Sequence, residues 1–219
     1  MQISIADVLN GEQLAVAQDV LGGSSFADAR ASAGWAAGKS KQAETAVSSP
    51  ALEVLREQIR STLLAHPMFQ LAAQPKRIIG PAFVRYGIGC GYGFHTDDPM
   101  MEGIRTDAAF TLFLSAPDTY EGGALLIESA AGQEAIKLDA GAVHLYPATS
   151  LHSVAPVISG ERLVAVGWVR STIRDAARRE LLFDLETARR SVFNSHGKTP
   201  TFDLLSKSTA NLVRMWCED

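Results

Sequence analysis

In Arg85-Tyr86-Gly87-Ile88-Gly89-Cys90-Gly91-Tyr92-Gly93-Phe94-His95-Thr96-Asp97 a strand-like run ends at Tyr86, a glycine-rich bend follows, and the chain delivers a His-x-Asp pair. In an extended segment, side chains two apart point to the same face, so His95 and Asp97 can reach one metal ion, whereas Asp98 points to the other face. His152, in the strand-like run 150–157, is the candidate third ligand. Two histidines and one carboxylate leave open positions on an octahedral Fe(II), a geometry suited to oxygen activation. The tripeptide alone is weak evidence, and a solvated surface pair is the competing explanation.

Outward from this stretch, short β-branched or aromatic runs alternate with turn residues: 82–86, 108–114, 124–128, 134–138, 142–146, 150–157 and 162–169. Seven or eight short strands at close spacing predict a sandwich or jelly roll rather than βαβ units. Upstream, apolar residues from Ile5 to Leu21 recur at roughly helical spacing before Gly22-Gly23, and Leu52, Leu55, Ile59 and Leu63 mark one face of a helix over 51–64 with Pro50 at its start. Residues 24–49 carry no periodicity and read as a loop. Downstream, 174–190 reads as a helix with Leu181, Leu182 and Leu185 on its apolar side. The expected plan is mainly β with flanking helices: an N-terminal helical region over 1–76 packing on the core, a β core over 77–172, and a helical extension over 173–219.

Composition narrows the classes of function. The chain has 219 residues, 20 Lys+Arg and 24 Asp+Glu, a formal charge of −4, which argues against a duplex nucleic-acid binder. Two cysteines, Cys90 and Cys217, are too few for a disulfide framework or a thiolate zinc site. The N-terminus lacks a basic segment followed by an apolar run, and no apolar stretch approaches about 18 residues, so the expectation is a cytoplasmic protein with no membrane span. Basic residues after the β core are interleaved with Asp175, Glu180, Asp184 and Glu186, as on a solvated helix with internal ion pairs.

Arg162 adds weight to a metal site. If the chain turns at Ser159-Gly160, Arg162 sits near Val157, five residues or roughly 16 Å along the strand from His152. A guanidinium spans much of that gap, and a five-carbon diacid chelated to the metal fills the rest. Arg162 shares a face with Val164, Val166 and Trp168, where an unpaired guanidinium is very costly, and its planar fork is the group suited to a buried carboxylate. The Tyr86 phenol is a candidate second donor to the same carboxylate, or else a core aromatic. His144 reads as a hydrogen-bonded core or site-lining residue, His66 as a helix-end residue, His196 as solvated, and Arg105, Thr106 and Asp107 as candidates for the substrate side.

The set Arg85-Tyr86, Tyr92, His95-x-Asp97, Thr111-Leu-Phe-Leu-Ser115, Tyr120-Glu-Gly-Gly-Ala-Leu125, Leu145-Tyr-Pro147, Leu151-His152-x-Val154-x-Pro156-Val157 and Gly160-Glu-Arg162 resembles the Fe(II)/2-oxoglutarate-dependent dioxygenases, and within them the PKHD-type hydroxylases, relatives of prolyl 4-hydroxylases. The likeness extends to Ala33-Gly34, Lys39-Ser-Lys-Gln42, Ile104-Arg105-Thr106-Asp107 and Arg174-Asp175, and so covers nearly the whole chain. The resemblance implies a double-stranded β-helix in which His95, Asp97 and His152 hold Fe(2+) and Arg162 holds the distal carboxylate of 2-oxoglutarate. It further implies dioxygen as co-substrate, succinate and carbon dioxide as products, a hydroxylated small molecule or peptide, and L-ascorbate as a supporting reductant. A homodimer through the C-terminal helices is a further expectation. Two rivals are a zinc-dependent hydrolase and a non-catalytic cupin-like binding module. The chain has no His-Glu-x-x-His helix for the first, and Asp97 replaces the second histidine usual in cupin sites.

Overall fold

The computed structural model describes residues 1–32 and 40–218, so Ala33, Gly34 and Lys39 of the motifs above lie outside the described residues. Two antiparallel sheets face each other as a jelly roll. The larger follows the order β1 (Ile3–Ile5), β13 (Val143–Pro147), β9 (Ala108–Phe113), β16 (Arg162–Ser171), β5 (Pro75–Tyr86), β4 (Glu44–Ala46), β2 (Phe26–Asp28). The smaller follows β12 (Gly132–Ile136), β11 (Leu125–Ser129), β14 (His152–Val154), β6 (Gly91–His95), β3 (Lys41–Gln42). Two short pairs complete the set, β10 (Tyr120–Gly122) with β15 (Val157–Gly160), and β7 (Met100–Met101) with β8 (Ile104–Arg105).

β16 shows how alternation builds both cores. Val164, with Val166 and Trp168, packs between the sheets against Val84, Phe113, Leu125 and Ile127. Ala165 and Val169, with Leu163, face the opposite cluster, formed with the N-terminal helices. That second layer rests on α2 (Pro50–Ala65), whose Leu52, Leu55, Ile59 and Leu63 are all buried as their spacing predicts. Each such side chain contributes about 1.5–3 kcal/mol. Ser49 caps this helix by accepting from the Leu52 N–H, and α3 (Pro67–Ala73) follows directly.

In the N-terminal region and the β core the structure departs from the sequence expectations in four places. The helical run expected from Ile5 begins only at Gly11, because Asn10 and Gln13 form a capping box that starts α1 (Gly11–Gly22), while Ile3 and Ile5, separated by Ser4, pair with β13. The expected loop 24–49 contains β2, β3, β4 and a 3-10 turn, Ala29–Ser32. These strands are two or three residues long and lie at or beside sheet edges, so they leave no alternation to read. The run 150–157 is two elements, β14 and β15, parted at Ala155-Pro156, where proline removes a ladder donor. β15 pairs with β10, not with β16, so Arg162 does not lie beside Val157 in a hairpin; its partner across the larger sheet is Tyr86.

The C-terminal extension is a helical hairpin, α4 (Ala176–His196) and α5 (Pro200–Trp216), with Asp175 and Thr199 as N-caps. α4 runs past residue 190 to His196, which places that exposed histidine in the last helical turn. Glu186 pairs with both Arg189 and Arg190 on α4, the internal ion pairing expected of a solvated helix. No helix among the described residues is long and apolar enough to cross a membrane.

Candidate metal centre

β6 and β14 are neighbours in the smaller sheet, and their register places His95 directly opposite His152. The imidazole centroids are 4.3 Å apart. Asp97, two residues beyond the end of β6, completes a cluster in which one ligand atom from each residue lies within 4.8 Å of the others. His152 Nε2 and Asp97 Oδ1 are 3.9 Å apart, and both side chains are almost fully buried. Asp98 is exposed, as the face argument predicts.

Each histidine is oriented through its other nitrogen. His95 Nδ1 is 2.8 Å from the Gly93 carbonyl oxygen and His152 Nδ1 is 2.9 Å from that of Ser150. A carbonyl only accepts, so Nδ1 carries the proton in both rings and Nε2 keeps its lone pair for the cluster. Tyr92 stacks on His95 at 3.7 Å and Tyr146 meets His152 edge-on at 5.0 Å, which fixes the planes of both rings. Burial, helped by the neighbouring His152 and Lys41, pushes His95 down to about 4, so it is neutral at pH 7. Burial raises Asp97, with His152 opposing that shift, and its Oδ2 is buried with no hydrogen-bond partner. An orphaned carboxylate oxygen beside two imidazoles with preset lone pairs fits a divalent metal ion.

The cluster opens on a cavity of about 250 Å³ between the sheets, also lined by Arg162, Tyr86, Trp168, Lys41 and Met101. Arg162 is 1% exposed, yet its Nε and Nη2 have no hydrogen-bond partner. Its guanidinium carbon stands 5.0 Å from the Tyr86 ring centre and 5.5 Å from that of Phe113. A buried cation with spare donors in a cavity wall fits a carboxylate. Tyr86, opposite Arg162 across β5 and β16, is raised by burial against the pull of that guanidinium, and so remains a neutral donor.

The triad, Arg162, Tyr86 and Trp168 are brought together; Arg105, Thr106 and Asp107 are not part of the cavity wall. Arg105 is bonded to Asp107 and Glu218, Thr106 donates to the Asp98 carbonyl, and Asp107 accepts from the Ser171 N–H. They brace the chain around the β7–β8 hairpin. His144 is buried and bonded to Ser4 through Nδ1. Lys41 and Tyr146 are wall residues that sequence reasoning missed. Lys41 falls in a stretch read as loop, and Tyr146 looks like any other strand aromatic.

These features together define a 2-oxoglutarate and Fe(II) oxygenase, and the model of the 2OG-Fe(II) oxygenase superfamily matches residues 81–170. A PKHD-type hydroxylase of Acaryochloris marina is 49% identical over 219 residues, covering all of both chains, and one of Picosynechococcus is 48% identical over the same span. The chain belongs to the PKHD-type hydroxylase family and is an enzyme of the dioxygenase class. Among solved structures, a Pseudomonas putida prolyl-4-hydroxylase superposes with a TM-score of 0.54 at 19% identity, covering 78% of this chain and 92% of that one. The fold is therefore shared with prolyl hydroxylases. Fe(II) and 2-oxoglutarate are the cofactor and co-substrate of this superfamily.

Proposed function

We propose that this enzyme hydroxylates its substrate with conversion of 2-oxoglutarate and dioxygen to succinate and carbon dioxide, His95, Asp97 and His152 holding Fe(II), and Arg162 with Tyr86 holding the distal carboxylate of 2-oxoglutarate. The observation that carries this reading is the pairing, in one cavity, of an orphaned carboxylate oxygen between two pre-oriented imidazoles with a buried guanidinium whose Nε and Nη2 have no protein carboxylate or carbonyl to donate to. Iron bound there supplies the oxygen chemistry. Gly93 and Ser150 keep the ligating nitrogens deprotonated through their carbonyls. Arg162 and Tyr86 fix the far end of the diacid, and the apolar wall of Val84, Leu125, Val154 and Trp168 excludes water from it. The substrate, a small molecule or peptide, enters past Lys41, Thr45, Asp98 and Met101 on the cavity wall.

The β core over 77–172 is the catalytic unit, buttressed by 1–76 and 173–219. A homodimer forms through the C-terminal hairpin, supported by exposed Leu181, Phe193, Leu204 and Met215 on α4 and α5. Cytoplasmic location and ascorbate as reductant follow from the sequence and the family resemblance.

The test is anaerobic. Fe(II)-loaded protein is expected to develop a metal-to-ligand charge-transfer band on adding 2-oxoglutarate, and folded, iron-loaded protein without that band would overturn the proposal. His152→Ala is expected to lose iron; Arg162→Ala is expected to keep iron and bind 2-oxoglutarate poorly.

A further inference from the structure

Three buried polar atoms without a hydrogen-bond partner lie at one corner of the protein: Nε and Nη2 of Arg162 and the hydroxyl of Tyr120. Tyr120 opens β10 and is 4% exposed. It reaches Arg162 by topology, because β10 pairs with β15 in the register Tyr120↔Gly160, two residues before Arg162. Gly123 permits the approach: a Cβ there would come within 3.1 Å of Tyr120 Cε2, Arg162 Cδ and Val157 Cγ2. Its φ of +64° is also a conformation that favours glycine. The ring is held from the other side by Lys137, whose Nζ stands 4.0 Å from the ring centre and donates to the Tyr120 carbonyl at 2.6 Å.

Packing alone does not account for this hydroxyl. A phenylalanine would fill the same space; the Tyr120 oxygen lies close enough to Arg162 to interact with it, but the buried O–H itself has no acceptor, which is costly to the fold. Burial raises the Tyr120 pKa against the pull of Arg162, so the group is a neutral donor. A carboxylate offers about four lone-pair sites on two oxygens, and one edge of a guanidinium fork uses only two of them. We infer that Tyr120 belongs to the 2-oxoglutarate site, its hydroxyl donating to the same distal carboxylate that the Nε and Nη2 edge of Arg162 holds. This rests on the reading of Arg162 given above.

The experiment compares two 2-oxo acids of equal length, 2-oxoglutarate and 2-oxopentanoate, the latter lacking the distal carboxylate, on anaerobic Fe(II) protein. Tyr120→Phe is expected to weaken 2-oxoglutarate about tenfold or more, to leave 2-oxopentanoate unchanged, and to melt no lower than wild type without metal or ligand. Unchanged 2-oxoglutarate affinity in Tyr120→Phe overturns the inference, as does equal weakening of both acids, which marks a packing role. A lower melting temperature without loss of 2-oxoglutarate discrimination also overturns it. Arg162→Ala in the same assay separates the two levels. If it too leaves 2-oxoglutarate affinity unchanged, the carboxylate clamp itself is misplaced; if it abolishes the preference and Tyr120→Phe does not, only the role of Tyr120 falls.

Discussion

Two arginines are buried among the described residues, and their surroundings differ in kind. Arg179, on α4, is 5% exposed and spends its donors on the chain: Nη1 on the Ile173 and Arg174 carbonyls at 2.8 and 2.9 Å, Nη2 on that of Asp107 at 3.2 Å. Arg162, on β16, is more deeply buried and has aromatic faces and orphaned nitrogens instead. Burial lowers the pKa of Arg179, opposed by Asp107 and Asp175, but an arginine keeps its charge even so. A cation buried to join two elements is satisfied by those elements. One proposed to receive a ligand, as Arg162 is, leaves Nε and Nη2 unpaired, and the rest of the fold bears the cost.

This contrast can be broken by exchanging the roles experimentally. Arg162→Met is expected to weaken 2-oxoglutarate by about a hundredfold or more, two charge-assisted bonds being lost, while the ligand-free protein unfolds no earlier in urea. Arg179→Met is expected to do the reverse, costing about 3 kcal/mol of stability with 2-oxoglutarate affinity of the folded protein unchanged. Loss of stability in the first variant, or of affinity alone in the second, would dissolve the distinction.

His144 stands between the two cases, with Nδ1 bonded to Ser4 and Nε2 buried without a partner. Burial pushes it down to about 4 from the ordinary histidine value of 6.5. The unfolded chain therefore binds the proton first, so this contribution is present above pH 6.5, fades as pH falls towards 4, and is fully lost below that. The loss is on the order of 3 kcal/mol, and His144→Gln is expected to flatten the pH dependence of urea unfolding across that window. The smallest effect is expected at Gly123→Ala, where positive φ and the 3.1 Å contacts with Tyr120 and Arg162 cost about 1–2 kcal/mol. If calorimetry finds no loss there, the corner is looser than its geometry implies.

Legibility of the sequence followed the length and regularity of each signal. β9, β13 and β16 were readable because several alternating or β-branched residues occur in each, and α2 because four apolar residues fall on one stripe. That His95 and Asp97 can reach one ion is legible from extended-segment spacing, but the tripeptide alone does not single them out. The strand partner of Arg162 is not legible, because segments adjacent in sequence need not pair, and β15 turns away to pair with β10. Its true partner, Tyr86, lies 76 residues earlier by number and is joined by a register that no local pattern announces. Tyr120 stands out in sequence only as part of a motif, since nothing in one strand reveals which buried group will lie beside it.

The placement of β16 has a consequence for biosynthesis. It is the last strand to leave the ribosome, yet it lies in the middle of the larger sheet, with β9 on one side and β5 on the other. Until it arrives, those two strands present open edges to each other across the space it will fill. The same segment begins with Arg162, so the sheet and the proposed carboxylate site are completed together. A nascent chain stalled before residue 162 has neither a closed sheet nor that arginine, so on the proposed role of Arg162 co-substrate binding waits for the finished β core.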